Sequence, residues 1–460
     1  MSANMNIDNA VAQHRVDEAN AQYPAARLAS IDLSDTFPQT PRSTASVTAL
    51  DRWIARKMMA VVGNPPVALK LWDGVEVTAP QPHPVARLQY HSRSAMFKTI
   101  INPELYFGDI YANGEASIEG DLIRFTEIIY SNLEGKVDKS GLRNLVLWLQ
   151  HRRIANSFDK AKDNIYHHYD IGNDFYRLWL DRAEMQYTCA YFPDQAMTLE
   201  QAQVAKLHHV CRKLELKAGD EVVEAGCGWG GLALFMAKHY GVKVTAYNIS
   251  REQVAYARSR AEREGLSDRI DYVLDDYRNI RGKYDAFVSV GMLEHVGTRD
   301  FGILGDVINR CLKPTGRGLI HSIGRNRPAP MNAWIERRVF PGAYPPSLME
   351  MMGIFEPNHL SVLDVENLRQ HYSLTLQHWL QRYEQHSAEI REMMDETFVR
   401  TWRLYLAGSI AAFNVGELQL FQVVFSRKQN NQLPWSRAHL YTPTAPQTTI
   451  PEPEEEPVEA

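Results

Sequence analysis

Residues 221–233 read EVVEAGCGWGGLA, and the fold class follows from them. A short apolar run carrying Glu224 stops at a turn built on Gly226, Gly228, Gly230 and Gly231. It resumes as LALFMAKHY (232–240), which gives a strand, a tight turn and a helix. Glycines at such a turn let a ligand approach the backbone and the N–H groups that open the helix. Downstream the alternation repeats. KVTAYNI (243–249), IDYVLDD (270–276), YDAFVSV (284–290) and GRGLIHSIG (316–324) read as strands, with REQVAYARSRAEREG and FGILGDVINRCL as helices between them. Strands alternating with helices imply a parallel sheet covered on both faces, an α/β fold whose strand tips meet along one rim. A final strand pair is expected around ELQLFQVVFSR, after the helix in FVRTWRLYLAGSIAAF.

The chain has 460 residues, with 50 Lys+Arg, 55 Asp+Glu and 45% hydrophobic residues, enough for one large or two ordinary soluble domains. Its acidic excess sits in the final PEPEEEPVEA, so the folded body is neutral and has no broad field to steer nucleic acid towards it. No nucleic-acid partner is expected. The start, MSANMNIDNAVAQHR, lacks the apolar core of a signal peptide, and no run of about 18 apolar residues is long enough to span a bilayer. A cytoplasmic protein is expected. Cys189, Cys211, Cys227 and Cys311 are far apart without CxxC spacing, which suits reduced thiols and no metal site.

Composition divides the chain further. Residues 1–45 lack a sustained apolar period and read as a disordered arm, and 429–460 as a disordered acidic tail. A small α+β domain is expected over 46–136, from the helix in ALDRWIARKMMAVV and the alternating VALKLWDGVEV and YANGEASIEGDL. LRNLVLWLQHRRIANSFDKAK marks a linker over 137–163, and 164–428 a catalytic domain. The stretch 325–395, with MNAWIERRVFPGAYPPSLMEMMGIF, is an apolar, aromatic insert suited to covering an acyl chain.

The glycines at 226, 228 and 231 satisfy GxGxxG, so a dinucleotide site must be weighed against an S-adenosylmethionine site. A dinucleotide site wants an acidic residue at the second strand's end, where this chain has Ala246, Tyr247, Asn248, Ile249 and Ser250. Glu224 and the LDDYRN tip instead offer polar strand ends that suit the ammonium and adenine of S-adenosylmethionine. Glu294 and His295 follow the fourth strand, His321 ends the fifth, Cys189 lies upstream and Tyr372 downstream.

HYDIGNDFYRLWLD, MQYTCAYF, EAGCGWGGLALFMAKHYGVKV, ISREQ, DDYRNI, SVGMLEHVG, HSIG, VFPGAYPP, HYSLTLQHW and LQLFQVVFSR, in order over roughly residues 85–427, resemble the cyclopropane-fatty-acyl-phospholipid synthases. The related mycolic acid cyclopropane synthases and fatty-acyl C-methyltransferases share many of these motifs. The resemblance implies a Rossmann-like class I methyltransferase sheet with a smaller N-terminal α+β domain. It implies methyl transfer from S-adenosylmethionine to a cis double bond of a phospholipid acyl chain, leaving a cation that a bound bicarbonate deprotonates. By motif, the bicarbonate would be held by Cys189, Glu294, His321, Tyr372 and the Ile323 N–H. S-adenosylmethionine would contact Tyr187, Thr188, Glu224, Gly226, Gly228, Gly230, Ser250, Gln253, Asp276 and Tyr277. Tyr187, Tyr191, Phe192, Trp334 and Phe340 are candidates to face the cation. Glu224, Tyr247, Asn248 and Leu293 depart from many relatives without removing a proposed catalytic group.

Ring closure is the favoured outcome. The alternative from the same family is a methyl-branched or methylene product without a ring, and a second alternative is a methyltransferase for a soluble small molecule. A catalytically dead lipid-binding module would have lost Cys189, Glu294 or His321, which are intact. The partners implied are an unsaturated phospholipid, the inner face of the membrane as a peripheral surface, and a second copy in a homodimer.

Overall fold

The structure, a computed structural model, describes residues 43–77, 84–133 and 172–441. The expected linker at 137–163 and residues 1–42 of the expected arm lie outside these. The large sheet has seven strands: β4 (Glu221–Ala225), β5 (Lys243–Asn248), β6 (Ile270–Leu274), β7 (Tyr284–Val290), β8 (Leu312–Gly324), β9 (Leu360–Asn367) and β10 (Gln419–Arg427). They run in the order β6-β5-β4-β7-β8-β10-β9. β4 to β8 pair in parallel, while β10 is antiparallel to both β8 and β9. The order reverses beside β4, so the glycine turn opens at the switch point where α/β sheets take their ligands. The five strands expected from 221 to 324 are found within a few residues of their expected limits. β9 was not expected. It occupies part of the 325–395 stretch assigned to covering an acyl chain, and it serves instead as a sheet edge.

A second, three-stranded sheet, β1 (Val67–Lys70), β2 (Ala86–Tyr90) and β3 (Ala116–Gly120), forms an N-terminal subdomain with helices α1 (Ala49–Val61), α2 (Arg93–Ile101), α3 (Pro103–Ala112) and α4 (Leu122–Leu133). Thr48 starts α1 with a reciprocal capping box to Asp51. The chain is already attached at residues 43–45, since the Ser43 N–H donates to the His91 carbonyl and the Trp72 indole N–H to the Ala45 carbonyl.

The remaining helices among the described residues are α5 (Asn173–Arg177), α6 (Leu199–Leu214), α7 (Gly231–Tyr240), α8 (Arg251–Arg263), α9 (Phe301–Cys311), α10 (Ala333–Arg338), α11 (Leu348–Phe355), α12 (Arg369–Gln385), α13 (Ser387–Met393), α14 (Glu396–Val415) and α15 (Ala438–Tyr441). α14 packs between α12 and the subdomain's α3 and α4. There Arg400 is buried and donates to the Tyr111 carbonyl at 2.6 Å and the Ala116 carbonyl at 3.1 Å. Asn414 donates to Glu127 at 2.6 Å. These polar bonds fix the subdomain against the catalytic body, because a buried carbonyl left without a donor is costly. The expected tail starts too early at 429. Asn430 is buried and donates to the Thr315 carbonyl, and Leu440 is the buried residue of α15, which packs on α6.

Candidate active site

The turn after β4 lines a cleft with the tips of β5 and β6 and the loop after β7: Gly226, Tyr247 to Ile249, Asp275 to Arg278, Met292, His295 and Val296. Gly228 has φ +52°, and a Cβ there would meet nothing within 4 Å, leaving room for a ligand against the backbone. Gly226 differs, since its Cβ would fall 2.9 Å from Met292. Gly230 is required by packing rather than by a ligand: a Cβ would strike the Tyr272 hydroxyl and Ala257, and Tyr272 donates to the Gly230 carbonyl at 2.9 Å.

Glu224 is fully enclosed at the tip of β4, and its Oε2 has no hydrogen-bond partner among the described residues. Burial pushes its carboxyl up to about 8, against the pull of Lys206. Such an oxygen fits a ligand ammonium. Asp276 and Tyr277 line the cleft, but the Asp276 carboxylate is held by Arg278 at 2.8 Å. Ser250 and Gln253 are buried around Asn248 instead of lining the cleft: Asn248 accepts from the Ser250 N–H and donates to Gln253 Oε1 and the Gly228 carbonyl. Asn248 is the cleft residue there. These features fit S-adenosylmethionine, with Glu224, Gly226, Gly228, Asn248, Asp276 and Tyr277 as the residues that would hold it.

The second group of expected residues gathers along β8 and β10. The Ile323 N–H donates to Glu294 Oε1 at 2.6 Å, leaving Oε2 buried and without a partner among the described residues. Burial raises the Glu294 carboxyl to about 7, against the lowering effect of its own N–H, the Ile323 N–H and the Ser322 hydroxyl. His321 precedes Ile323 by two, which places both on one face of the strand. Its Nδ1 lies 3.0 Å from Gln422 Nε2, and its Nε2 is buried without a partner among the described residues. Burial, reinforced by Lys206 and Lys213, holds His321 neutral, well below its usual value.

Leu420 faces Ile323 across the sheet and accepts from the Leu368 N–H at 2.8 Å; the Leu368 carbonyl accepts from the Tyr372 N–H at 3.2 Å and faces Cys189 Sγ at 3.9 Å. Glu294, His321, Ile323, Tyr372 and Cys189 are thus joined through β8, β10 and the first turn of α12. The Tyr372 ring packs on Phe413 and edges against Trp379. Cys189 is fully buried, which raises its thiol and keeps it protonated. Glu294 thus keeps one carboxyl oxygen, and His321 one imidazole nitrogen, buried without a hydrogen-bond partner among the described residues.

Some residues that shape the site are not evident from sequence. Lys206 and Gln203, one turn apart on α6, hold the 186–188 segment from below. Lys206 Nζ bonds the Gln186 amide oxygen and, at 3.0 Å, the Thr188 hydroxyl, while Gln203 donates to the Thr188 carbonyl at 2.8 Å. Lys206 is fully buried, which lowers its ammonium to about 8. The expected aromatic set divides. Tyr187 bonds the Tyr405 hydroxyl at 3.0 Å, and Phe340 packs edge-on to Tyr405, so these two share a wall. Tyr191 and Phe192 stack instead on His209, His371 and His378, and Trp334 fills the space beside Gly108 of α3. Among the described residues no cluster of three His, Cys, Asp or Glu could hold a metal, and no helix is long and apolar enough to cross a membrane.

The chain's similarities to known proteins agree with this architecture. The profile of the family described as mycolic acid cyclopropane synthetase matches residues 156–423. A probable fatty acid methyltransferase of Pseudomonas putida is 35% identical over 82% of this chain and 96% of its own length. The cyclopropane-fatty-acyl-phospholipid synthase of Escherichia coli K12 is 37% identical over 73% of this chain and 87% of its own. The tuberculostearic acid methyltransferase UfaA1 of Mycobacterium tuberculosis is 31% identical over 85% and 94%. Among solved structures, the cyclopropane synthase MmaA2 from Mycobacterium tuberculosis superposes with a TM-score of 0.55 at 26% identity, over 58% of this chain and 98% of that one. The mycolic acid cyclopropane synthase CmaA1 complexed with SAH and CTAB gives 0.55 at 27%, over the same shares. The sheet is therefore a class I methyltransferase fold with an additional N-terminal subdomain. The chain belongs to the mycolic acid cyclopropane synthetase family and is an S-adenosylmethionine-dependent methyltransferase acting on fatty-acyl chains.

Proposed function

We propose that the protein methylates the double bond of an unsaturated acyl chain carried by a phospholipid at the membrane surface, and that it leaves a methyl-branched or methylene chain without closing a ring. The observation that carries the chemistry is that Glu294 Oε2 and His321 Nε2 are both buried without a hydrogen-bond partner among the described residues. When bound, S-adenosylmethionine supplies an electrophilic methyl on a sulfonium, and bicarbonate supplies a weak base. The protein's own part is placement and dryness. An alkene is a poor nucleophile, so alignment against the donor and exclusion of water carry much of the barrier reduction. Tyr187, Tyr405 and Phe340 offer aromatic faces to the developing positive charge. Glu294, fixed at one oxygen by the Ile323 N–H, keeps the other to orient the base.

The product assignment moves away from the ring closure favoured on sequence. The probable fatty acid methyltransferase of Pseudomonas putida aligns over 82% of this chain, against 73% for the Escherichia coli synthase. Ring closure is the second reading, supported by 37% identity to that synthase. The test is lipid mass spectrometry and proton NMR on cells expressing the protein and fed methyl-deuterated methionine. Labelled acyl chains without cyclopropane methine protons support the proposal, the ring methylene being deuterated. Labelled chains with them establish the second reading, and unlabelled chains refute both.

A further inference from the structure

We propose that Gln422 fixes the tautomer of His321 and thereby denies this histidine the role of base. The inference rests on the reading of the Glu294 and His321 pair as an anion site. Gln422 on β10 pairs directly with His321 on β8, in a row across the sheet that runs Val290, His321, Gln422, Glu366. Both side chains are fully buried, and Gln422 Nε2 lies 3.0 Å from His321 Nδ1. A neutral imidazole has one N–H and one lone pair. With the Gln422 amide as the donor, the lone pair must be on Nδ1 and the proton on Nε2, an atom with no hydrogen-bond partner among the described residues; Gln422 Oε1 likewise has none, so this one contact sets the amide's direction.

The consequence is functional. An imidazole with its proton on Nε2 can donate to an anion but cannot accept a proton through that atom. Without Gln422 the ring could turn a lone pair to the site and compete with the guest as base. Gln422 is thus a positioning residue: it acts through His321 and makes the pocket one donor, His321, beside one acceptor, Glu294. The charged and titratable groups around the ring, Lys206, Lys213, His209 and Glu366, leave the tautomer to this one bond, since none of them has a hydrogen bond to the ring.

The test uses the full-length protein labelled with 15N-histidine, with the His321→Gln variant identifying the resonance. Long-range proton–nitrogen spectra of the wild type are expected to place the proton on Nε2, and a proton on Nδ1 would overturn the proposal. Gln422→Met keeps the side-chain shape without the donor, and Gln422→Glu replaces donor by acceptor. The glutamate variant is expected to put a proton on Nδ1. The methionine variant is expected to raise the bicarbonate KM about tenfold, the loss of one hydrogen bond to an anion, with the S-adenosylmethionine KM unchanged. An unchanged bicarbonate KM in a folded Gln422→Met protein would refute the inference. Should wild-type turnover prove independent of bicarbonate, the anion site fails, while the wild-type spectrum still decides the tautomer.

Discussion

Replacing Glu294 by glutamine separates catalysis from stability in opposite directions. The carboxyl is buried, its Oε1 is held by the Ile323 N–H at 2.6 Å and its Oε2 has no partner among the described residues. Glutamine keeps an acceptor for Ile323 but presents an NH2 where the acceptor stood. Loss of a group that orients the base should lower kcat by ~10²–10⁴ while S-adenosylmethionine binding, which uses the β4 turn, is unchanged. Stability moves the other way. The folded carboxyl titrates at about 7 against an ordinary 4.5, so the folded state resists ionisation. A raised carboxyl pKa favours the fold fully below pH 4.5, and this advantage is lost as pH rises through 7. Over that interval the wild type forfeits at most roughly 3 kcal/mol that the neutral glutamine retains. Glu294→Gln should therefore match the wild type in urea unfolding at pH 5 and exceed it at pH 8. A variant that turned over like wild type, or that was less stable than wild type at pH 8, would overturn this role for Glu294.

Other substitutions test separate parts of the site. Gly230→Ala combines φ +81° with a clash on Tyr272 and should destabilise the protein by about 2 kcal/mol or more, seen in thermal melts. Gly228→Ala meets no atoms and should stay folded, with weakened S-adenosylmethionine binding in calorimetry. Lys206→Met removes the bonds to Gln186 and Thr188 and should raise the S-adenosylmethionine KM about tenfold, with bound protein still cooperative on melting. Arg400→Met removes the buried guanidinium donor shared by the Tyr111 and Ala116 carbonyls and should cost about 2–4 kcal/mol, with proteolysis of the N-terminal subdomain preceding that of the catalytic body.

The strands from 221 to 324 were legible because they are apolar runs bounded by glycine turns, and a parallel sheet buries such runs on both faces. β9 was hidden for the converse reason. LSVLDVEN lies at the sheet edge, most of its residues are only partly buried, and its charged positions resemble a loop. The site was half legible. Glycines, a strand-tip glutamate and the motif residues announce themselves in sequence. Lys206 and Gln203 do not, since polar residues in AQVAKLHHV look like the solvated face of a helix, yet both are fully buried against Thr188. Gln422 is separated from His321 by 101 residues, and only the register of β10 on β8 makes them neighbours. Gly230 was read as a ligand contact because local sequence cannot distinguish a glycine cleared for a ligand from one cleared for Tyr272.

The most direct measurement is turnover of the purified protein on vesicles of unsaturated phospholipid with S-adenosylmethionine, in buffer freed of carbon dioxide and then resupplied with bicarbonate. Acyl chains are expected to gain a carbon only once bicarbonate is restored. Equal turnover without bicarbonate would contradict the anion site, and no acyl product under either condition would contradict methyl transfer to the lipid itself.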